Sequence, residues 1–259
     1  MLKQERYEKI VEWVNHKGQC SVEELAKTFG VTSMTIRRDL QHLEEQGVIR
    51  RIHGGAMPLK LRWNILEPPW MERLDHCAIE KKRIGKYAAE LIKPNEKVFI
   101  GTGSTTYYVA EALVEREDLG PDFTVITNAI TISNILAKYS KINCLLVGGF
   151  IRHSELSLIG HFAQSTLENL RVDKVIMGIR GIHPEQGLTS DYPEDLKLDR
   201  TIMSMSSQVY IVADYTKLGY VSNSLTAPIT DIHTLITDTQ ANKEFIKLIK
   251  NKGVNVVQV

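Results

Sequence analysis

Residues 21–56 read SVEELAKTFGVTSMTIRRDLQHLEEQGVIRRIHGGA, and the fold of the N-terminal part of the chain follows from them. Ser21, with Glu24 three positions on, is a capping-box pair in which each side chain can satisfy an orphan N–H at a helix start. The helix predicted there carries Val22, Leu25, Ala26 and Phe29 on one stripe and stops at Gly30, the residue that enters a left-handed turn at least cost. Val31 and Thr32 restart the chain, with the hydroxyl of Thr32 or Ser33 as the next N-cap. At about 100° per residue, Ile36, Leu40 and Leu43 share one face of the second helix, which Gly47 ends. Met34, Arg38 and Gln41 point the opposite way, with Thr35 and Arg37 on the flanks. One face packs and the other is left for a partner.

A capped helix, a glycine turn and a second helix presenting Ser33, Met34, Thr35, Arg37, Arg38 and Gln41 have the pattern of a recognition helix for the DNA major groove. Residues 48–56 then bring Arg50, Arg51 and His53, with no acidic residue among them, up to Gly54-Gly55. That is the composition of a β-wing reaching phosphates or a minor groove. The competing reading is an αα-hairpin whose arginines are merely solvated, but turn, helix face and basic wing agree on the first. TIRRDLQHLEEQGVIRRIHGGA, preceded by SVEELAKTFGVT, resembles the winged helix-turn-helix signature of the DeoR family of bacterial transcriptional regulators. The resemblance implies a double-stranded DNA operator as partner.

The 259 residues suit a small module plus a domain of ordinary size. A formal net charge of +1 excludes a chain that is electrostatic glue for nucleic acid throughout, so DNA affinity has to come from a local patch. The dense basic runs are Arg37-Arg38, Arg50-Arg51 and Lys81-Lys82-Arg83. Cys20, Cys77 and Cys144 lie far apart with no C-x-x-C spacing, which fits neither a disulfide framework nor a structural zinc site and suits a reducing cytoplasm. The adjacent His76-Cys77 has no second pair at ligand spacing, so no metal or cofactor is expected. No apolar run approaches the ~20 residues of a membrane span, and Met1-Leu2-Lys3-Gln4 does not open a signal peptide. A cytoplasmic protein with no membrane partner is the expectation.

Along the chain, residues 5–17 place Tyr7, Ile10, Val11 and Val14 on the stripe of a supporting amphipathic helix, which Gly18 ends. Gln19-Cys20 is a short extended piece able to pair with the wing. The DNA module spans 1–57. Residues 58–78, with Pro58, Pro68 and Pro69, read as a linker, in which Trp63 and Trp70 argue against a free tether. Glu67-Pro68-Pro69-Trp70 with Arg73 is similar to the E-x-P-aromatic-x-x-R segment that joins the two domains of the family. From 79 to 259 the period changes. Helices over 79–93, 107–117, 131–139, 162–170, 194–206 and 242–253 alternate with apolar, β-branched strands at 98–101, 123–127, 144–149, 174–179, 209–214 and 234–237. This alternation predicts an α/β domain, Rossmann-like and mostly parallel, with helices on both faces and ligands at the carboxyl ends of the strands.

The sequence Gly101-Thr102-Gly103-Ser104-Thr105-Thr106 follows one such strand and opens a helix. Two glycines let backbone N–H groups converge, four hydroxyls add donors, and the helix N-terminus favours an anion. No Gly-Lys-Ser/Thr follows, so this is not a P-loop, and the full G-x-G-x-x-G fingerprint is absent. On spacing alone, a phosphate cradle and a plain strand-to-helix turn fit equally well. GTGST is also similar to the phosphate loop of ribose-5-phosphate isomerase and glucosamine-6-phosphate deaminase, enzymes to which the sensor domain of the DeoR family is related.

The family pattern continues at Thr127-Asn128, Gly148-Gly149, Gly160, Asp173, Gly178, Gly181, Gly187-Leu188-Thr189 and Asp214 with Lys217. The resemblance implies a phosphorylated sugar effector held by residues 101–106 and Lys217, with Arg152 as a helper. Against this, a lone Arg or Lys beside a loop is more often a solvated charge or an ion pair. Asp191 and Glu194 stand where sugar hydroxyls are contacted or where acids are simply solvated. Aldose–ketose isomerisation needs a positioned carboxylate, yet Gly178-Ile179-Arg180-Gly181 has Arg180 at that place and no Lys-Gly run exists. An enzyme is therefore not expected, and Arg180 pairs either a second anionic group of the effector or a protein carboxylate. The resemblance implies a repressor of a sugar-metabolism operon, working as a homodimer or homotetramer.

Overall fold

The computed structural model describes residues 3–17, 20–46, 48–52, 54–58 and 68–259. The chain divides into two compact units, Met1–Leu66 and Glu67–Val259. The readings placed on Gly18, Gln19, Gly47, His53, Trp63 and Glu67 lie outside the described residues, as does the side chain of Arg50.

The first unit contains α1 (Lys3–Lys17), β1 (Cys20–Ser21), α2 (Val22–Phe29), α3 (Ser33–Glu45), β2 (Ile49–Ile52) and β3 (Gly55–Pro58). Local chemistry sets its boundaries. Ser21 Oγ accepts from the Glu24 N–H at 3.1 Å, Gly30 closes α2 at φ 65° and ψ 35°, and Thr32 Oγ1 caps α3 by accepting from the Thr35 N–H at 3.2 Å. Tyr7, Ile10 and Val14 of α1 meet Leu25, Ile36, Leu40, Leu43 and Ile49 in a single small core. The wing is the antiparallel pair β2–β3, and β1 adds to it with Cys20 opposite Ala56. Gly55 is obligatory there, because a Cβ would lie 2.1 Å from the Cys20 carbonyl oxygen. Asp39, buried on the inner face of α3, takes the Arg6 guanidinium at 2.7 Å and so ties α3 to α1.

The second unit begins with α4 (Trp70–Leu74) and α5 (Ala78–Glu90). Its main layer consists of β4 (Lys97–Ile100), β5 (Thr124–Thr127), β6 (Asn143–Leu146), β9 (Lys174–Met177), β12 (Val209–Val212), β14 (Thr234–Thr237) and β15 (Asn255–Gln258). All seven run parallel in the order β15-β14-β12-β9-β4-β5-β6. Strand alternation divides the apolar side chains between two cores: Val98 and Ile100 pack with α5 residues such as Ile84, whereas Phe99 packs with Val175 and Ile211 on the other face. The chain builds β4, β5 and β6 to one side of β4 and then returns to lay β9 on its other side. The β4/β9 boundary is therefore the topological switch point, where the loops after the strands diverge and leave a crevice. Between β6 and β9 lie a hairpin of β7 (Phe150–Arg152) and β8 (Ser157–Ile159) and a helix over His161–Glu168. A small antiparallel sheet is formed by β10 (Gly181–His183), β11 (Gly187–Ser190) and β13 (Ser224–Ala227).

The predicted α/β layering and the parallel strands are present. Pro58 closes β3, and residues 68–78 belong to the second unit, where Trp70 is 5% exposed and packs edge-on to Tyr107 at 5.2 Å. Pro68 and Pro69 do not break a helix here. They precede α4, with Pro69 at its N-cap, where no intrahelical N–H is missed.

Candidate functional sites

On α3, Ile36, Leu40 and Leu43 are at most 2% exposed, while Arg37, Arg38 and Gln41 are open and Met34 is 57% exposed. Ser33 and Thr35 are half-buried at the helix start, and the Thr35 hydroxyl lies 3.0 Å from that of Thr32. Gln41 Nε2 donates to Glu45 Oε1 at 3.2 Å, a bond that steadies its amide along the outer face. Arg51 of β2 is exposed, and its N–H donates to Glu44 Oε1 at 2.8 Å, joining the wing to the end of α3. Two arginines of α3 and one of the wing thus stand on open surface with polar neighbours, a form suited to base edges and phosphates.

In the second unit, one cleft lies at the switch point. Its walls include Gly101 to Thr105 after β4, Gly178 to Arg180 after β9, Asn128 after β5, Arg152 of β7 and Lys217. Here α6 (Ser104–Val114) begins directly from Gly103, so Ser104, Thr105 and Thr106 occupy its first turn rather than the loop before it. Gly103 sits at φ 143°, open only to glycine, and a Cβ on Gly101 would come within 3.2 Å of Met177 Cβ. No side chain caps α6, and among the described residues the Ser104 and Thr105 hydroxyls have no hydrogen-bond partner. Both residues are nearly buried, at 5% and 6% exposed. Thr106 stands apart from these two. Its hydroxyl donates to the Gly103 carbonyl at 2.9 Å, it is fully buried, and it does not line the cleft. Thr102 is half committed, donating to the Glu155 carbonyl at 3.0 Å.

The cleft's arginines are held by internal carboxylates. Arg152 pairs with Asp195 and stacks over the Tyr192 ring at 4.2 Å. Arg180 pairs with Asp191 at 2.8 Å and lies over Tyr220 at 4.6 Å, so of the two partners sequence reasoning left open it has the protein carboxylate. Asp191 in turn accepts from the Ser222 hydroxyl, and the side chain of Glu194 lies outside those described. Loss of solvent pushes the Asp199 carboxyl up to about 6 against the pull of Arg152. Lys217 ends a short 3-10 turn (Tyr215–Lys217) that Asp214 caps by accepting from the Thr216 N–H at 3.0 Å. Buried Lys81 of α5 stands 4.0 Å from Asp214, and burial lowers its pKa while Asp214 opposes that shift.

Several wall residues had no sequence-level role in the site. Arg73 donates through one nitrogen to both Glu155 oxygens at 2.6 Å, and its Nε donates to the Pro68 carbonyl at 2.8 Å. Asn128 Nδ2 donates to the Leu158 carbonyl at 3.3 Å, leaving a buried Oδ1 with no partner among the described residues. Arg73 and Asn128 were visible as parts of motifs, but nothing in the sequence marks Glu155, Tyr192 or Asp195, which come from turns after short strands.

The comparisons agree on both units. The DeoR-like helix-turn-helix domain matches residues 6–60, and the DeoR C terminal sensor domain matches residues 77–239. An uncharacterized HTH-type transcriptional regulator of Bacillus subtilis (strain 168) is 32% identical over 259 residues, covering 100% of this chain and 98% of the relative. The HTH-type transcriptional repressor GlcR of the same strain is 32% identical, over 99% of this chain and 96% of its own. The glycerol-3-phosphate regulon repressor of Escherichia coli (strain K12) is 33% identical, over 85% and 84%. Among solved structures, ribose 5-phosphate isomerase from Plasmodium falciparum aligns over 53% of this chain and 52% of its own, at 22% identity and a TM-score of 0.37. A winged DNA-binding unit followed by a ligand-sensing α/β unit defines a transcriptional regulator, not an enzyme. The chain belongs to the DeoR family.

Proposed function

We propose that this regulator represses a sugar-metabolism operon and that a phosphorylated sugar, bound in the switch-point cleft, changes its affinity for the operator. The observation that carries the reading is the first turn of α6: an uncapped helix N-terminus with two nearly buried, unpartnered hydroxyls, Ser104 and Thr105, in a cleft that Lys217 also lines. Unpaired N–H groups and the positive end of a helix dipole favour an anion, and hydroxyl donors add to it. Phosphate has the acceptors to engage them all, while the remaining walls offer Asn128 and the paired Arg152 and Arg180 to sugar hydroxyls.

In the DNA unit, Arg38 with Ser33, Met34, Thr35, Arg37 and Gln41 reads and positions DNA, and the wing contributes Arg50, Arg51 and His53. Symmetric half-sites ask for at least two copies, hence a homodimer or homotetramer. The effector acts only through its differential affinity for the two DNA-binding states, a coupling of about 1–3 kcal/mol in typical cases. The test is Ser104→Ala. Calorimetry should show lost sugar-phosphate binding, while operator affinity without effector stays at the wild-type value. A well-folded Ser104→Ala protein that no longer binds operator, or that still responds fully to the sugar phosphate, contradicts the proposal.

A further inference from the structure

The segment that leads into the second unit is fastened to the cleft by an ion pair between Arg73 and Glu155. Arg73, on the short helix α4, lines the cleft and grips both oxygens of Glu155 at 2.6 Å, with side chains 11% and 7% exposed. Glu155 sits in the turn between β7 and β8, and its carbonyl takes the Thr102 hydroxyl of the phosphate loop at 3.0 Å. Next to it, the Ser154 carbonyl accepts the Trp70 N–H at 2.8 Å. The far side is fastened as well: Lys81 Nζ donates to the Arg73 carbonyl at 2.6 Å and stands 4.0 Å from Asp214, the cap of the turn that carries Lys217. The first turns of α6 touch the same segment, through Tyr107 against Trp70 and through the Tyr108 hydroxyl, 3.4 Å from the Leu74 carbonyl. The fit is incomplete, because the buried Trp70 Nε1 has no hydrogen-bond partner among the described residues.

Arg73 therefore has a carboxylate on one side and, in the same cleft, the groups assigned above to a phosphate. We propose that Arg73 is an effector-binding residue and that Glu155 holds it as a competitor. An arriving phosphate takes the guanidinium from Glu155, because a dianion offers a planar donor stronger charge-assisted bonds than a single carboxylate does. Freed of Arg73, the turn at 154–155 releases the Trp70 N–H, and residues 68–75 change their seat. Those residues follow directly on the stretch that comes from the DNA unit, so the exchange passes ligand occupancy to the start of the second unit. This rests on the reading of the cleft as a phosphate site.

The two sides of the pair predict opposite effects on ligand and the same effect on DNA. Glu155→Gln removes the competitor and should tighten binding of inorganic phosphate, and of the sugar phosphate to which the wild type responds, by about tenfold. Arg73→Gln should weaken both by about as much. Without any ligand, both variants should move operator affinity in the direction in which the sugar phosphate moves the wild type. A merely structural pair would weaken ligand binding from either side, in step with a lower melting temperature. The measurements are calorimetry with inorganic phosphate and a panel of sugar phosphates, and fluorescence anisotropy on DNA from upstream of the protein's own operon. If the wild type binds phosphate or a sugar phosphate but Glu155→Gln fails to bind it more tightly, the competition is overturned and the site stands. Wild type that binds neither inorganic phosphate nor any member of the panel overturns both.

Discussion

Each arginine of the cleft has its carboxylate, and Asp199 is the acid there whose carboxyl is raised toward neutrality. Its carboxyl is raised from 3.8 to about 6 by loss of solvent, so the folded protein holds that proton over a window in which the unfolded chain has lost it. The folded state then binds more protons between about pH 4 and 6, and stability from this group falls as pH rises through that window and is level above it. Asp199→Asn removes the effect. Urea unfolding at pH 4 and pH 7 should show the variant gaining on the wild type at the higher pH, and a difference independent of pH would exclude the assignment. The same ionisation puts a negative charge beside Arg152, so the variant should also bind a sugar phosphate more tightly than wild type at pH 7 and alike at pH 5. At this scale the sequence was a partial guide. The glycines and hydroxyls of 101–105 were legible because strand, turn and cap chemistry are local. Thr106 reads as part of the same run, and only the structure shows its hydroxyl turned back on Gly103. The carboxylates that hold Arg152, Arg180 and Arg73 lie 43, 11 and 82 positions away in the chain, and no periodicity announces such pairs.

Among the elements, α3 bears the DNA reading and owes its placement to two residues that contact no DNA in that reading. Thr32 caps it, and Thr32→Ala should cost the first unit about 1 kcal/mol, measured as a lower midpoint in chemical denaturation. Asp39 anchors it to Arg6 of α1, in a pair with side chains 3% and 12% exposed. Removing one partner of a buried pair costs about 3–5 kcal/mol, a large share of what a unit with so small a core has. Asp39→Ala should therefore unfold the DNA unit at temperatures where the second unit keeps its melting transition, as calorimetric scanning would show. A variant with the wild-type profile would mean that Arg6 and Asp39 are solvated and not coupled. The caps, Gly30 and the apolar stripe of α3 were all readable in advance, but Asp39 was not, because an acid on an otherwise apolar face looks like a break in the pattern. In the second unit the parallel strands β4, β5, β6, β9, β12 and β14 were legible as apolar runs alternating with helical segments. The β7–β8 hairpin and the small sheet of β10, β11 and β13 were not, since they lie outside that alternation, and neither was β15.

For the whole molecule, the two units carry separable tasks, and salt dependence separates the kinds of DNA contact. Arg38→Ala should relax sequence preference, whereas Arg51→Ala should weaken all sequences alike and lower the salt slope by about one. Equal effects of the two on a consensus site and a scrambled site would remove that division. Composition and charge told only that the DNA-binding surface had to be local, and the family pattern supplied the pairing of a winged unit with a sensor. In the proposed function, occupancy of the second unit's cleft controls DNA binding by the first unit. Fluorescence anisotropy on DNA from upstream of the protein's own operon, titrated with sugar phosphates and their unphosphorylated parents, tests it most directly. The account predicts that one phosphorylated sugar, and not its parent, shifts operator affinity by about 5- to 150-fold. Tight, salt-dependent and sequence-selective binding that no phosphorylated sugar alters would contradict it.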